Sequence, residues 1–302
     1  MTYDALIVGG GPAGLAAALT LGRARKRVLL CDAGPRRNAA AVHVQNFVTR
    51  DGIPPAEFRR IAREQLHAYP GVEIRDVAVE TIGGERNAFD VRIGPDTVCV
   101  RRVLLCTGLV DEMPAIDGFR ELWGRSIFAC PYCHGWEVQG RRFGMLASEP
   151  DMVTFAMFLR GWSSDVTLFT NGALAVPGDV RTSLAAAGVP IDERTIARLR
   201  AAGGHLESIE FADGTSRKID VLFAHPKQRQ VPLVQTLNLP LDDKGFVRVN
   251  DTRESLVPGV YVAGDLMTPA QSAVLAAASG MFAAASLNRE LTLELATAGQ
   301  LP

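Results

Sequence analysis

The N-terminal run Ala5-Leu6-Ile7-Val8-Gly9-Gly10-Gly11-Pro12-Ala13-Gly14 constrains this chain more than any other segment. Four apolar residues read as a buried parallel strand. Three glycines then fall at GxGxxG spacing, and Leu15-Ala16-Ala17-Ala18-Leu19 opens a helix. In that order Gly9 permits the tight turn, Gly11 lets a pyrophosphate approach the backbone, and Gly14 packs helix on strand. With Pro12 and Ala13 they form a loop whose helix N-terminus faces phosphate charge. A second strand, Arg27-Val28-Leu29-Leu30-Cys31, ends at Asp32-Ala33. Asp32 lies ~20 residues on, where a ribose hydroxyl needs an acceptor. The pattern predicts a dinucleotide-binding α/β unit, and a glycine-rich surface turn leaves Asp32 unexplained.

The chain has 302 residues, 47% hydrophobic and 22% charged, which suits two soluble domains. A net charge of −1 argues against a nucleic-acid or membrane surface. No apolar run reaches the ~18 residues of a membrane span. The N-terminal apolar stretch has Asp4 before it and no basic lead, so it does not read as an export signal. The expected location is the cytoplasm, where a CxxC pair is more often catalytic or metal-binding than a structural staple.

That pair is Cys130-Pro131-Tyr132-Cys133, followed by His134-Gly135-Trp136-Glu137. Redox chemistry is the leading reading. A zinc site lacks a second CxxC, and CxxCH haem attachment lacks an export signal. Inert buried thiols are the remaining alternative. Cys31, Cys99 and Cys106 lie in or near apolar strands and read as core, with Cys106 able to approach a cofactor. Of the other histidines, only His43 is placed near the cofactor side. Trp136 and the aromatic run around Phe155 and Phe158 read as core or interface packing.

Two further strands end in small-residue turns: Val103-Leu104-Leu105-Cys106-Thr107-Gly108 and Gly259-Val260-Tyr261-Val262-Ala263-Gly264-Asp265. After the second come Gln271-Ser272-Ala273 and the small-residue helix around Ala276-Ala277-Ala278-Ser279-Gly280. In order and content the chain resembles the low-molecular-weight thioredoxin reductase family over nearly its whole length. The resemblance implies FAD as cofactor and Asp265 on its ribityl chain. It implies Gln271, Ser272 and Ala273 at the flavin pyrimidine, and Asn46 in a segment running beside the flavin. It also implies Cys133 facing the flavin, Cys130 exchanging with substrate, and pairing into a homodimer. The family keeps an acidic proton donor where this chain has His134. We expect His134 to move the proton and steady the thiolate, with a pKa near the ordinary ~6.5. The Pro-Tyr-His variant looks more like the dithiol oxidases of gliotoxin and holomycin type, and like reductase-like flavoproteins that do without pyridine nucleotide.

Where the family places a second glycine loop, after Arg142-Phe143-Gly144-Met145-Leu146, this chain has Ala147-Ser148-Glu149-Pro150-Asp151-Met152. Side chains stand where backbone must meet phosphate, and Pro150 removes a donor. No basic residues follow Asp165-Val166-Thr167-Leu168-Phe169; Thr170-Asn171-Gly172 does. The expected fold is therefore α/β, with two Rossmann-like units and the second inserted in the first. The FAD domain would span 1–112 plus 236–302, and 113–235 would carry the dithiol and a degenerate nucleotide loop. The expected activity is FAD-dependent dithiol oxidation of a small molecule with O₂ as acceptor. The alternatives are reduction of thioredoxin disulfide, fed by NADPH or by a ferredoxin or flavin donor, and a non-enzymatic flavin redox sensor. No metal is expected.

Overall fold

The computed structural model describes residues 2–34 and 36–300. Its contacts divide the chain into two units, one of residues 1–39, 53–110 and 228–302, the other of 40–52 and 111–227.

The first unit is built on a seven-stranded sheet. Its parallel part runs Val72–Arg75, Val28–Cys31, Thr2–Val8, Asp96–Leu105. The Asp96–Leu105 strand is shared. Its first half pairs antiparallel with Ala88–Ile93, and Val103 to Leu105 pair in parallel with Val260–Val262. A strand only three residues long thus brings the far end of the chain to the centre of the sheet. Ala5–Val8 and Val28–Cys31 are apolar and buried because both faces are covered, one by helices Pro12–Arg23 and Ala273–Thr297, the other by strand Ala88–Ile93 and residues 233–266. Helix Pro12–Arg23 packs on one face beside Ala273–Thr297, a 25-residue helix.

The second unit repeats the theme. Five parallel strands run in the order Ile191–Asp192, Val166–Phe169, Phe143–Leu146, Val221–Ala224, Ile127–Phe128. An antiparallel sheet of Ile196–Ala202, His205–Phe211 and Ser216–Lys218 accompanies it. Both units are of the Rossmann type, and the second is inserted in the first.

The unit limits differ from the sequence boundaries at three places, the first junction falling after residue 110 rather than 112. Residues 40–52 belong with the second unit, where Gly124 lets the chain come close: a Cβ there would sit 2.6 Å from the Ala40 carbonyl oxygen. The return to the first unit comes at 228 rather than 236, because Leu233 and Val234 of helix Pro232–Thr236 enter the core that holds Leu6 and Val103. Among the described residues, no helix is long and apolar enough to cross a membrane.

Candidate functional site: a dinucleotide cradle and a dithiol turn

The cradle in the first unit is shaped by three close approaches. Gly9, at φ 108°, donates its N–H to the Cys31 carbonyl (2.8 Å), and a Cβ on it would lie 2.4 Å from the Cys106 carbonyl oxygen. That contact sets Cys106, Thr107 and Gly108 against the first turn. A Cβ on Gly14 would fall 1.8 Å from the Gly9 carbonyl oxygen, so helix and turn meet backbone to backbone. A Cβ on Gly10 would meet the Asp32 carboxylate at 2.6 Å. Gly10 is thus a third close-packed glycine, which its place inside the motif did not distinguish. Gly11 faces open space, with nothing within 4 Å of a Cβ placed there. The helix starting at Pro12 leaves that space directly off its N-terminus.

Asp32 and Ala33 line a cavity of about 360 Å³ with Gly34, Arg59, Arg63 and Asp76. Asp32 pairs with Arg59, a partner from helix Pro55–Leu66 that no motif announced. On the other side, Gly264 adopts φ 90° and its α-carbon comes close to Ala13, a Cβ there lying 3.2 Å from the Ala13 Cβ. The Gly264 N–H donates to Ser279 Oγ (3.2 Å). Ser272 caps the long helix by accepting from Leu275 N–H (3.2 Å), with Ala273 its first residue. Arg37 donates to both Asp265 (2.9 Å) and Gln271 (2.6 Å). Gly9, Gly11, Pro12, Ala13, Gly14, Cys106, Thr107, Gly108, Gly264, Asp265, Gln271, Ser272 and Ala273 therefore gather at the carboxyl ends of the central strands, where open α/β sheets bind ligands. Asn46 falls in the other unit of the chain. It belongs to the 40–52 segment, at φ 58°, with its N–H on the Asp51 carboxylate (2.6 Å). Cys106 is buried, and burial pushes its thiol far above the ordinary range, so it stays an inert core residue at neutral pH.

The dithiol lies in the second unit. Cys130 immediately precedes a single helical turn, Pro131–His134, closed by Cys133 N–H to Cys130 C=O (3.2 Å) and Gly135 N–H to Pro131 C=O (2.6 Å). Gly135 has no room for a side chain: a Cβ would lie 2.7 Å from the Trp162 ring. Both cysteines are free thiols. The Cys133 thiol hydrogen-bonds Cys130, and together with the backbone N–H groups of Cys133 and Tyr132 it lowers Cys130 to about 7 against the effect of burial. Cys133 moves the other way, raised by that same bond, by burial, and by the negative charge of Cys130 and Glu137. The first proton therefore leaves Cys130.

His134 departs from expectation. Its ring stacks on Phe128, with centroids 4.3 Å apart and planes at 12°, and its Nδ1 is buried without a hydrogen-bond partner. Burial, and then the charge of His43, lower its pKa to about 4. At neutral pH it is an uncharged imidazole, so it does not steady the thiolate as a cation. The low value at Cys130 comes from Cys133 and the backbone instead. Of the core-or-interface expectation for Trp136, its 74% exposure removes only the core alternative. Tyr132, 64% exposed, packs against Phe158 and Trp162 at 5.7 and 5.5 Å.

The strand Phe143–Leu146 occupies in its sheet the central place that Thr2–Val8 occupies in the first. The segment after it is built differently. Ala147 is buried, Ser148, Glu149 and Pro150 are exposed, and Pro150–Met152 forms a 3₁₀ turn before a four-residue helix, Phe155–Phe158. At the end of the next strand, Asn171 accepts the Ile196 N–H (2.6 Å) from a left-handed backbone (φ 52°). Its side chain is occupied in shaping the loop.

A family model described as pyridine nucleotide-disulphide oxidoreductase matches residues 3–280. The chain belongs to that family. Its relatives include a probable thioredoxin reductase of Arthroderma benhamiae, 32% identical over 98% of this chain and 82% of its own length. Thioredoxin reductase aclD of Aspergillus oryzae is 31% identical over 97% of each. Among solved structures, HlmI superposes with a TM-score of 0.92 at 36% identity, covering 99% of this chain and 95% of its own. An oxidoreductase from Agrobacterium tumefaciens does so at 0.92 and 35%, covering 97% and 99%. This pyridine nucleotide-disulphide oxidoreductase is thus a thioredoxin-reductase-like enzyme of thiol–disulfide exchange.

Proposed function

We propose that the enzyme holds FAD in the cradle of the first unit and oxidises a small dithiol through Cys130 and Cys133, without tight use of NADPH. The cradle suits FAD: Gly11 leaves open the space a pyrophosphate needs, and Asp32 beside a cavity suits an adenosine ribose. Gly9, Pro12, Ala13, Gly14 and Ala33 would hold the dinucleotide end, with Asp265, Gln271, Ser272 and Ala273 at the flavin end. When bound, FAD supplies a two-electron acceptor.

The protein's residues supply the exchange. With the pair as a disulfide, a substrate thiolate attacks the Cys130 sulfur. The Cys130–Cys133 bond breaks and Cys133 leaves with the electron pair. The second substrate thiol, its proton relayed by the neutral His134 ring to a departing cysteine sulfur, attacks the substrate sulfur of the mixed disulfide and releases Cys130. Cys130 is suited to that departure because its thiol sits at about 7, and a low-pKa thiol leaves faster. The substrate emerges as a disulfide, and two electrons remain on the cysteine pair. Bound FAD would supply the two-electron acceptor that restores the Cys130–Cys133 disulfide, with O₂ as the proposed final acceptor.

The observation that carries the reading is the segment 147–152. A 3₁₀ turn with exposed Glu149 and Pro150 stands where a glycine loop and helix N-terminus would bind phosphate. The test is anaerobic stopped-flow absorbance of the FAD-loaded protein against NADPH, NADH and dithiothreitol, followed by oxygen uptake. Dithiothreitol should bleach the flavin and sustain oxygen uptake. Rapid bleaching by micromolar NADPH would instead make the protein a nucleotide-fed reductase for a thioredoxin-like partner.

A cytoplasmic homodimer is part of the same proposal. The helix Ala273–Thr297 presents exposed Val274, Leu275, Met281 and Phe282, a face suited to a two-fold contact. A monomer by light scattering at micromolar concentration would remove that part.

A further inference from the structure

Arg37 reaches across the first unit to two side chains more than two hundred residues away. It lies in the short 3₁₀ segment Arg37–Ala40 that comes after the Asp32 strand end. One of its terminal nitrogens donates to Asp265 Oδ2 at 2.9 Å and to Gln271 Oε1 at 2.6 Å. Asp265 follows Gly264 at the end of the Val260–Val262 strand, and Gln271 directly precedes the Ser272 cap of the long helix. Gln271 is fixed a second time by a reciprocal amide pair with Gln228 (3.0 and 2.9 Å). The guanidinium and the Asp265 carboxylate are 25% and 23% exposed, so their charges are only partly screened by water.

We propose that Arg37 is a positioning residue that sets the redox potential of the bound flavin, by balancing the charge of Asp265 and holding Asp265 and Gln271 in place. This rests on the reading that the cradle takes FAD with these two residues at its flavin end. Reduction puts negative charge on the flavin pyrimidine, so fixed charge beside it moves the potential. Removing Arg37 takes away one positive charge and disfavours the reduced cofactor. Removing the Asp265 charge takes away one negative charge and favours it. A purely structural clamp would move both variants in the same direction.

The test is the midpoint potential of protein-bound FAD, measured by dye-coupled anaerobic reduction, which needs neither dithiol substrate nor pyridine nucleotide. Arg37→Gln should fall by ~30 mV, a tenfold weaker preference for reduced FAD in a two-electron couple. Asp265→Asn should rise, and Arg37→Lys, which keeps the charge, should stay near the wild type. An Arg37→Gln potential equal to wild type, or shifts of the same sign in Arg37→Gln and Asp265→Asn, overturns the assignment. If Arg37→Gln does not retain FAD, the other two variants decide: Asp265→Asn at or below the wild type overturns it, and above it with Arg37→Lys unchanged supports it. Reduction by NADPH would defeat the oxidase reading and leave this assignment standing, whereas a wild-type protein that binds no FAD defeats both.

Discussion

A Cβ added at Gly280 would lie 2.0 Å from the carbonyl oxygen of Ala13, so the long C-terminal helix touches the first helix backbone to backbone. The two helices carry opposite ends of the cradle: Gly11 and Pro12 begin one, and Ser272 caps the other. Gly280→Ala must push them apart. We expect a loss of ~1–3 kcal/mol, the usual range for overpacking a close contact, read by urea unfolding of the flavin-free protein. Retained FAD should fall in parallel. An unchanged midpoint would mean the helices do not meet this closely.

Gly11 and Gly14 separate binding from folding. A side chain at Gly11 enters open space from an ordinary extended backbone, φ −78° and ψ −176°. Gly11→Leu should therefore fold with wild-type stability as flavin-free protein and purify colourless. Gly14→Ala collides with the Gly9 carbonyl oxygen and should lose both stability and cofactor. Yellow Gly11→Leu protein would remove the cradle from the FAD site.

Thiol reactivity should belong to Cys130 and titrate near neutrality. Its thiol is lowered to about 7, first by the Cys133 hydrogen bond, so alkylation by iodoacetamide should rise with pH to a midpoint near that value. Peptide mapping should find Cys130 modified first. Cys133→Ala removes the donor, raises the midpoint, and should slow alkylation at pH 7 roughly tenfold. Preferential modification of Cys133 would reverse the division of labour between the two sulfurs.

His134 should remain neutral through the working range. Burial and the His43 charge lower it to about 4, so its ring signals in an NMR titration should not move between pH 5.5 and 8. The pH profile of turnover should then show the Cys130 ionisation without a histidine limb above pH 5.5. A ring that titrates near pH 6.5 would restore the cationic role expected from the unperturbed value.

Acid should weaken the first unit through Arg102, which is fully buried and bonded to Glu290, Glu294 and Asn87. Burial raises the Glu290 pKa, but the Arg102 hydrogen bond and charge outweigh it and the net shift is downward from 4.5. A carboxylate with a depressed folded value contributes stability above its unfolded pKa and loses it as pH falls through the folded one. Unfolding free energy should therefore decline below about pH 4.5, less so in Glu290→Gln. Glu290→Ala, which strips a partner from a buried guanidinium, should cost about 3 kcal/mol at pH 7. Arg102→Met should cost less, since Glu290 and Glu294 are each partly exposed and can turn to water.

The cradle glycines and the cysteine pair were legible because each depends on a few neighbouring residues. A turn that needs φ 108° at Gly9, or a helix that meets its own turn at Gly14, is specified by absence of side chains within one short segment. That residues 147–152 do not repeat the first glycine turn was legible for the same reason, since Glu149 and Pro150 alter the backbone they stand in. The strands were readable as apolar runs because a parallel sheet is covered on both faces.

What only the tertiary structure decided are the quantities that distant neighbours control. His134 looks like a neutral-range base until Phe128 and His43 surround it. Asp32 and Asp265 look like free acceptors until Arg59 and Arg37 arrive from other segments. Residues 40–52 precede the second unit by some sixty positions yet pack into it, and Trp136 lies in the middle of the chain yet faces water. Backbone geometry is set by local sterics, and motifs record it. Ionisation, ion pairing and burial depend on which chain segments share a few ångströms, and packing alone brings those segments together.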